Sequence, residues 1–180
     1  GQEGVVTRFG QFVQTTTSGL NYHLPSPIET VVKVNSSIDN VTEIGFRSNS
    51  SGSGFSYRRK TSGNVNDVPS ESLMLTGDQR IVDLDFSVLW KVGNARDFIF
   101  NVENPQKTIH DIAESAIREV IGTHKLDDAL TDGKTLITSE VEALMIKVLD
   151  SYKSGVEITG IQLQQTQPPA EVKDAFLDVK

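Results

Sequence analysis

The sequence of 180 residues is long enough for one domain, or for two small lobes that share a core. Its 24 acidic and 17 basic side chains give a formal net charge of −7, and an acidic surface disfavours nucleic acid as the main partner. The chain contains no Cys, which excludes disulfides and Cys-ligated metal sites. No apolar run approaches the roughly 18 residues of a membrane span, and no signal peptide is visible.

Short strands and turns are predicted for the first third of the chain. Pro25 and Pro27 force extended backbone before a strand expected from Ile28 to Val34. A further strand is predicted from Ile38 to Phe46. Residues 47–66 are rich in Ser, Gly and Asn and have almost no apolar periodicity, which is typical of a long flexible surface loop.

The clearest strand signal is the stretch IVDLDFSVLWKV at residues 81–92, where apolar and mostly polar residues alternate. A period of two indicates a strand with one buried face, and we expect this strand to anchor the core. Gly77 and Asp78 just before it predict a hairpin-type connection to the preceding stretch SLML. The alternating apolar residues are Val82, Leu84, Phe86, Val88, Trp90 and Val92.

Three helical segments are predicted next. Asn104 as N-cap, Pro105 in the first turn and Gly122 as the stop delimit the first, which carries one apolar stripe. The stretch KLDDALTDG is a short helical link, and a second long helix ends at Gly155. The expected buried face of that second helix consists of Ile137, Val141, Leu144, Met145, Val148 and Tyr152.

The stretch VEITGIQLQQTQ then reads as a strand, and its apolar parity flips at Gly160, which predicts a β-bulge there. Pro168 and Pro169 suit the first turn of a final amphipathic helix, which continues to the last residue. The order of strands, helices, strand and helix predicts an α+β fold. We expect a curved, largely antiparallel sheet with helices packed on one side.

No persuasive catalytic or metal-binding set is apparent. His110 and Glu114 lie at i, i+4, but a metal site needs three or four ligands, and we expect His110 on a solvated helix flank. Asp83 and Asp85 are paired carboxylates suited to acid–base work, yet we expect them on an exposed strand face. A G-x-S-x-G elbow and a phosphate-cradling glycine loop are both missing. We therefore expect no catalytic residue, no cofactor and no metal.

Four stretches together resemble the SPFH domain, the band 7 or prohibitin/stomatin-like family. They are GVVTRFGQFVQTTTSGLNYHLPSPIETV, ESLMLTGDQRIVDLDFSVLWKV, AESAIREVIGTHKLDDALTDGK and SYKSGVEITGIQLQQTQPPAEVKDAFLDV. The resemblance implies a membrane helix before Gln2 and a coiled-coil helix that starts near the end of the sequence. It further implies a β-rich membrane-proximal subdomain over residues 1–77 that includes the flexible loop 47–66, an α/β subdomain over 78–167, and the start of the coiled coil at 168–180.

The resemblance is strongest to family members that regulate the FtsH membrane protease, and it implies a scaffold without catalytic activity. Such a scaffold joins an HflC-like paralogue in a ring or cage, surrounds an FtsH-like AAA+ protease and limits which substrates reach it. The domain would lie on the periplasmic side of the bacterial inner membrane. The implied membrane-near residues are Phe9, Phe12, Leu20, Tyr22, Leu24 and Ile28, and the implied oligomerisation residues are Val172, Phe176 and Val179.

Three alternatives stay open. The six apolar residues near the N-terminus could simply pack the core of the small lobe, because apolar residues usually bury inside. A stomatin- or flotillin-like organiser of membrane lipids, or a channel regulator, would share the fold and differ in partner. A hydrolase that uses Asp83, Asp85 or His110 is disfavoured because a complete catalytic set is not visible.

Overall fold

The computed structural model describes residues 1–48 and 65–167, which form antiparallel sheets and helices. The strands are β1 (Gln2–Arg8), β2 (Gln11–Thr16), β3 (Glu29–Asn35), β4 (Asn40–Ile44), β5 (Phe46–Ser48), β6 (Val65–Asp67), β7 (Leu73–Leu75), β8 (Ile81–Val92) and β9 (Val156–Gln167). The helices are α1 (Pro69–Ser72), α2 (Ala95–Asn101), α3 (Pro105–Ile121), α4 (Leu126–Leu130) and α5 (Lys134–Ser151).

The first sheet has the strand order β2-β1-β3, and all of its pairs are antiparallel. Val5 and Val6 in the middle strand are buried. Val5 and Val34 belong to the same buried cluster as the residues of β8, so the first sheet shares its core with the rest of the molecule.

The second sheet is built on β8. Strand β9 lies along one edge of β8, while β4 and β7 pair with different parts of the opposite edge. The six alternating apolar residues of β8 are all buried, as the period of two predicts. Trp90 also places its indole N–H as a donor to the Thr42 hydroxyl of β4 at 3.0 Å, which satisfies its polar atom in the core.

The β-bulge predicted at Gly160 is confirmed. Gly160 pairs with Leu89 and Ile158 pairs with Trp90, so Thr159 is an extra residue in β9. An extra residue shifts every following side chain to the other face of the sheet, which explains the change in apolar parity along this strand.

Helices α3 and α5 pack on each other, α3 contacts β4 and β7, and α5 contacts β9. The Asn104 side chain accepts from the Lys107 N–H and caps α3 as predicted. Burying a large aliphatic side chain stabilises the fold by about 1.5–3 kcal/mol, and the apolar stripe of α3 buries four such side chains and two alanines. Its buried members are Ile109, Ala113, Ala116, Ile117, Val120 and Ile121.

The prediction of one strand from Ile38 to Phe46 is wrong in its continuity. The strand is interrupted at Gly45, whose φ of +88° lies in the left-handed region, and β5 starts immediately after it. Strand β5 pairs with β6, so the margins of the predicted loop 47–66 are strands. Residues 49–64 lie outside the described part of the chain.

Two helices were missed and one buried face was partly wrong. Helix α2 follows β8 directly and is capped by the Asn94 side chain, and the single turn of α1 precedes β7. On α5, Tyr152 is exposed while Leu149 is buried, because the helix ends at Ser151 and the chain turns at Lys153 with φ +49°. The predicted coiled-coil start, with Val172, Phe176 and Val179, lies outside the described residues, and the division at residue 77 stays a prediction.

Candidate functional site

An exposed apolar tip lies at one end of the first sheet. It consists of the β1–β2 turn and the connection from β2 to β3. Phe9 is 77% exposed, Leu20 is 89% exposed and Tyr22 is 88% exposed. Leu24 and Ile28 are less open but are also exposed. These five side chains therefore lie on the surface, and the alternative that they pack the core of the small lobe does not describe them.

The backbone of the apolar tip is folded back on itself. Phe9 and Gly10 both have positive φ, 49° and 81°, and make the sharp turn between β1 and β2. The Phe9 N–H donates to the Ile28 carbonyl at 3.1 Å, and the Ile28 N–H donates to the Pro25 carbonyl at 3.1 Å. These two bonds bring the turn and the end of the connection together at one place.

A buried carboxylate holds the connection in position. Glu29 opens β3, and its Oε2 accepts from the Leu24 N–H at 2.7 Å. Its Oε1 accepts from the Arg8 guanidinium, with Nη2 at 2.7 Å and Nε at 3.1 Å. The Leu24 N–H first, and then Arg8, lower the pKa of Glu29 below its ordinary value. The ionised side chain thus ties the connection to the end of β1.

Phe12 differs from the other implied membrane-near residues. It is half-buried and packs against the core. Its ring meets Phe100 of α2 edge to face, with centroids 6.3 Å apart. The Arg96 guanidinium carbon lies 4.3 Å from the Phe12 ring centroid. Phe12 therefore joins the first sheet to α2 and does not belong to the exposed apolar tip.

His110 does not lie on a solvated flank, so that expectation is wrong. Its Nε2 is 3.1 Å from Glu71 Oε2, and both side chains are mostly buried. Glu71 also accepts from Arg47 at 2.7 and 2.9 Å and from the Gly45 N–H at 3.2 Å. Burial raises the pKa of Glu71, but hydrogen bonds from Arg47 and the Gly45 N–H, together with the adjacent His110 imidazole, outweigh it and lower the pKa to about 2.

This cluster is a structural junction, because it joins the β4–β5 break, β5, α1 and α3 through one carboxylate. Glu114, the other residue of the weighed metal pair, bonds to Arg118 at 3.0 Å. Arg118 in turn donates to the carbonyls of Ser70 and Leu73 around α1. Across residues 1–48 and 65–167, no group of three or more His, Cys, Asp or Glu side chains is placed to hold a metal ion.

Asp85 is buried, and the expectation of an exposed face is wrong for this residue. A Cβ added at Gly45 would lie 2.8 Å from Asp85 Oδ1 and 3.0 Å from the Ser72 Cβ. The β4–β5 break and α1 therefore cover this part of β8 on the face opposite its apolar residues. Asp83, two residues earlier, is only partly buried.

The roles of Arg8 and Glu29 were missed from the sequence. A single sequence does not distinguish a buried carboxylate from a solvated one. The only available signal is the position of Glu29, two residues after Pro27 and at the start of a strand, where a short connection must be tied to its neighbours.

Residues 1–180 match the family described as the SPFH domain / Band 7 family. The chain therefore belongs to this family, and its α+β fold is the SPFH fold that the four stretches predict. Protein HflK of Treponema pallidum (strain Nichols) is 36% identical over 98% of the chain. Protein HflK of Buchnera aphidicola subsp. Schizaphis graminum is 33% identical over 98% of the chain. Modulator of FtsH protease HflK of Escherichia coli (strain K12) is 29% identical, again over 98% of the chain.

The chain spans 52% of the length of the Treponema protein and 36% of each of the other two. The resemblance to the HflK branch of the family is thus confirmed for this domain. Among the helices described here, none combines the length and the apolar character that crossing a membrane requires.

Proposed function

We propose that the chain is the SPFH domain of a non-catalytic scaffold at a membrane, which regulates the access of substrates to an FtsH-type protease. The observation that carries this proposal is similarity across 98% of the chain to a protein named as a modulator of the FtsH protease. The contacts of His110 with Glu71 and of Glu114 with Arg118 support a role without catalysis, because these titratable side chains hold elements of the fold together.

The exposed apolar tip supports a membrane-facing position for residues 1–77. Phe9, Leu20 and Tyr22 are exposed at the end of the first sheet. Transfer of large apolar side chains out of water is favourable. Tyr suits the boundary between the headgroups and the acyl chains, because it has an apolar ring and a polar end. In the proposed arrangement, the tip rests on the periplasmic surface of the inner membrane.

Assembly is the second part of the proposal. The final residues 168–180 begin a coiled coil, in which Val172, Phe176 and Val179 form the apolar seam between protomers. Copies of this protein and an HflC-like paralogue then close a ring or cage around the AAA+ protease. The mechanism is steric: a wall of subunits admits some membrane proteins and blocks others, and no covalent step occurs.

Gentle solubilisation of native membranes, capture of the tagged full-length protein and mass spectrometry of its partners test the proposal. A paralogous SPFH protein together with an FtsH-type AAA+ protease in a very large particle is the expected result. A monomer in mild detergent contradicts the scaffold. A homo-oligomer without a protease favours a stomatin- or flotillin-like organiser of membrane domains instead, and the capture of an unrelated tagged membrane protein is the control.

A further inference from the structure

A groove of about 730 Å³ lies between β2, α2 and the turn that follows α5. Phe12 and Phe100 form an apolar wall, and the amide side chains of Gln11 and Asn101 also line the groove. Phe100 is partly open to solvent. The groove therefore combines an accessible aromatic surface with groups that donate and accept hydrogen bonds.

Two cations line the groove, Arg96 of α2 and Lys153 of the turn after α5. Within residues 1–48 and 65–167, neither of them forms an ion pair with a carboxylate. One carboxylate, that of Asp97, also lines the groove, which leaves a local excess of one positive charge. This excess is notable in a chain whose net charge is −7.

The Arg96 guanidinium and the backbone of Lys153 are each held in place by contacts other than ion pairs. The Arg96 guanidinium lies over the Phe12 ring at 4.3 Å, and a guanidinium in this position keeps its N–H donors for another partner. Asn101 Nδ2 donates to the Lys153 carbonyl at 2.8 Å, and Lys153 has a positive φ of 49°. The turn after α5 is thus fixed against α2, with Lys153 at the groove.

The groove is continuous with the exposed apolar tip. Gln11 follows the Phe9–Gly10 turn directly and pairs with Arg8, while Phe12 pairs with Thr7. The end of β2 that lines the groove therefore lies directly beside the turn of the apolar tip. If the apolar tip enters the acyl-chain region of a membrane, the adjacent groove lies at the level of the lipid headgroups.

We propose that this groove binds the headgroup phosphate of an anionic phospholipid through Arg96 and Lys153 while the apolar tip contacts the bilayer. The proposal rests on the proposed membrane-facing position of the tip. Guanidinium and ammonium groups bind phosphate oxygens through charge-assisted hydrogen bonds. The amides of Gln11 and Asn101 suit the hydroxyl groups of a glycerol headgroup, which neutral zwitterionic lipids lack.

Flotation of the chain with vesicles tests the proposal. Vesicles of phosphatidylcholine alone are compared with vesicles in which about a third of the lipid is phosphatidylglycerol. A Lys or Arg near an anionic surface contributes about fivefold in affinity. We therefore expect Arg96→Gln and Lys153→Gln each to weaken binding to the anionic vesicles about fivefold, and the double variant about 25-fold. Binding to phosphatidylcholine should be unchanged.

The matched control is the double variant Arg80→Gln/Lys125→Gln. Arg80 precedes β8, and Lys125 follows His124, whose carbonyl accepts from the Gly77 N–H. Both are therefore at the end of β8 far from α2, roughly 36 Å away along a strand of this length. An equal loss of anionic-vesicle binding in the control overturns the groove as the site and indicates diffuse attraction. Lys153→Gln leaves the Arg96–Phe12 contact intact, so it keeps the test valid if Arg96→Gln lowers stability.

Two further results separate the possible failures. The variant Leu20→Ser/Tyr22→Ser changes the tip and none of the residues that line the groove. Loss of its binding to both kinds of vesicle therefore supports the membrane contact of the tip, and unchanged binding contradicts that contact without involving the groove. Anionic vesicles that bind no better than phosphatidylcholine overturn the groove proposal, whatever the tip does. Saturation of the groove by soluble glycerol phosphate, without any preference for anionic vesicles, also overturns it, because the site then serves a free phosphate ester.

Discussion

The conformation of the apolar tip depends on a polar residue, Glu29, more than on the exposed apolar side chains of the tip. The buried Glu29 carboxylate binds the Leu24 N–H and the Arg8 guanidinium, and both interactions favour the ionised form. The pKa of Glu29 is lowered in the folded chain. Its contribution to stability is therefore complete above the ordinary pKa of 4.5 and is lost progressively as the pH falls from there through the lowered pKa of the folded state.

Replacement of Glu29 by Gln should loosen the connection between β2 and β3. We expect the Leu24 amide to exchange with solvent about tenfold faster at pH 7, because a charge-assisted acceptor is removed. The difference from the unaltered chain should shrink only as the pH falls through the lowered pKa of the folded Glu29, where that carboxylate also loses its charge. Hydrogen exchange of both proteins, measured in steps from pH 7 down to the acid limit of the folded state, checks this. Glu103→Gln, at an exposed position, is the control and should leave Leu24 unchanged.

Glu71 provides a stronger pH dependence, because its pKa falls from 4.5 to about 2 on folding. The sign follows from linkage: its contribution is present above pH 4.5 and is lost between pH 4.5 and pH 2. We expect Glu71→Gln to lower the free energy of unfolding by up to about 3 kcal/mol at pH 7. Urea unfolding from pH 7 to pH 2.5 measures this, and the difference should narrow at the acidic end.

The control for this change is Glu119→Gln, on the exposed side of α3. A loss at Glu71→Gln that is the same at every pH would contradict the assigned role of the ionised carboxylate. It would instead indicate that the shape of the side chain alone matters at the junction of β5, α1 and α3.

At the scale of the elements, the break between β4 and β5 depends on Gly45. Its φ is +88°, and an added Cβ would meet the Leu84 carbonyl and Asp85 Oδ1, both at 2.8 Å. Gly45→Ala should therefore cost at least about 2 kcal/mol, because it adds both backbone strain and a clash. A thermal or urea unfolding curve measures the loss.

Gly160→Ala is the matched control for Gly45→Ala. A Cβ added at Gly160 has no heavy atom within 4 Å, so the change should stay within about 0.5 kcal/mol. Similar losses at the two glycines would show that the close approach around Gly45 is not what constrains this position.

Local periodicity is what made part of the fold predictable. Strand β8, the stripe of α3 and the bulge at Gly160 follow from patterns within a few residues, and the structure has all three. Helix α2 was missed because its seven residues are too few to show a period. The contact between His110 and Glu71 joins residues that are 39 positions apart, and it depends on the packing of α1 on α3. A single sequence carries no signal for such a pairing. The same is true of the buried carboxylate of Glu29.

At the scale of the whole molecule, the apolar tip and the core lie at different places on one folded unit. Val5 and Val34 of the first sheet share the buried cluster of β8, α3 and α5, so the first sheet is held by the main core. Side chains of the apolar tip lie outside that cluster. Changes there should consequently affect membrane contact without affecting folding.

The double variant Leu20→Ser/Tyr22→Ser should weaken binding to neutral vesicles by about tenfold or more, because two apolar side chains lose their favourable transfer from water. The melting temperature should stay the same, since both side chains are almost fully exposed. Vesicle flotation and thermal unfolding measure the two effects. Leu75→Ser/Ile81→Ser is the control, because these residues are also apolar and more than half exposed but lie at the β7–β8 turn. An equal loss in the control would remove the tip from the proposed membrane surface.

The pairing of β5 with β6 has a practical consequence for labelling. Ser48 pairs directly with Val65, and paired residues of an antiparallel ladder lie about 4.5–5.5 Å apart. The entropy of closing a chain segment depends only weakly on its length once its ends are fixed side by side. Residues 49–64 are therefore a suitable place to insert a fluorescent protein or an epitope, or to shorten the sequence to a two-residue turn.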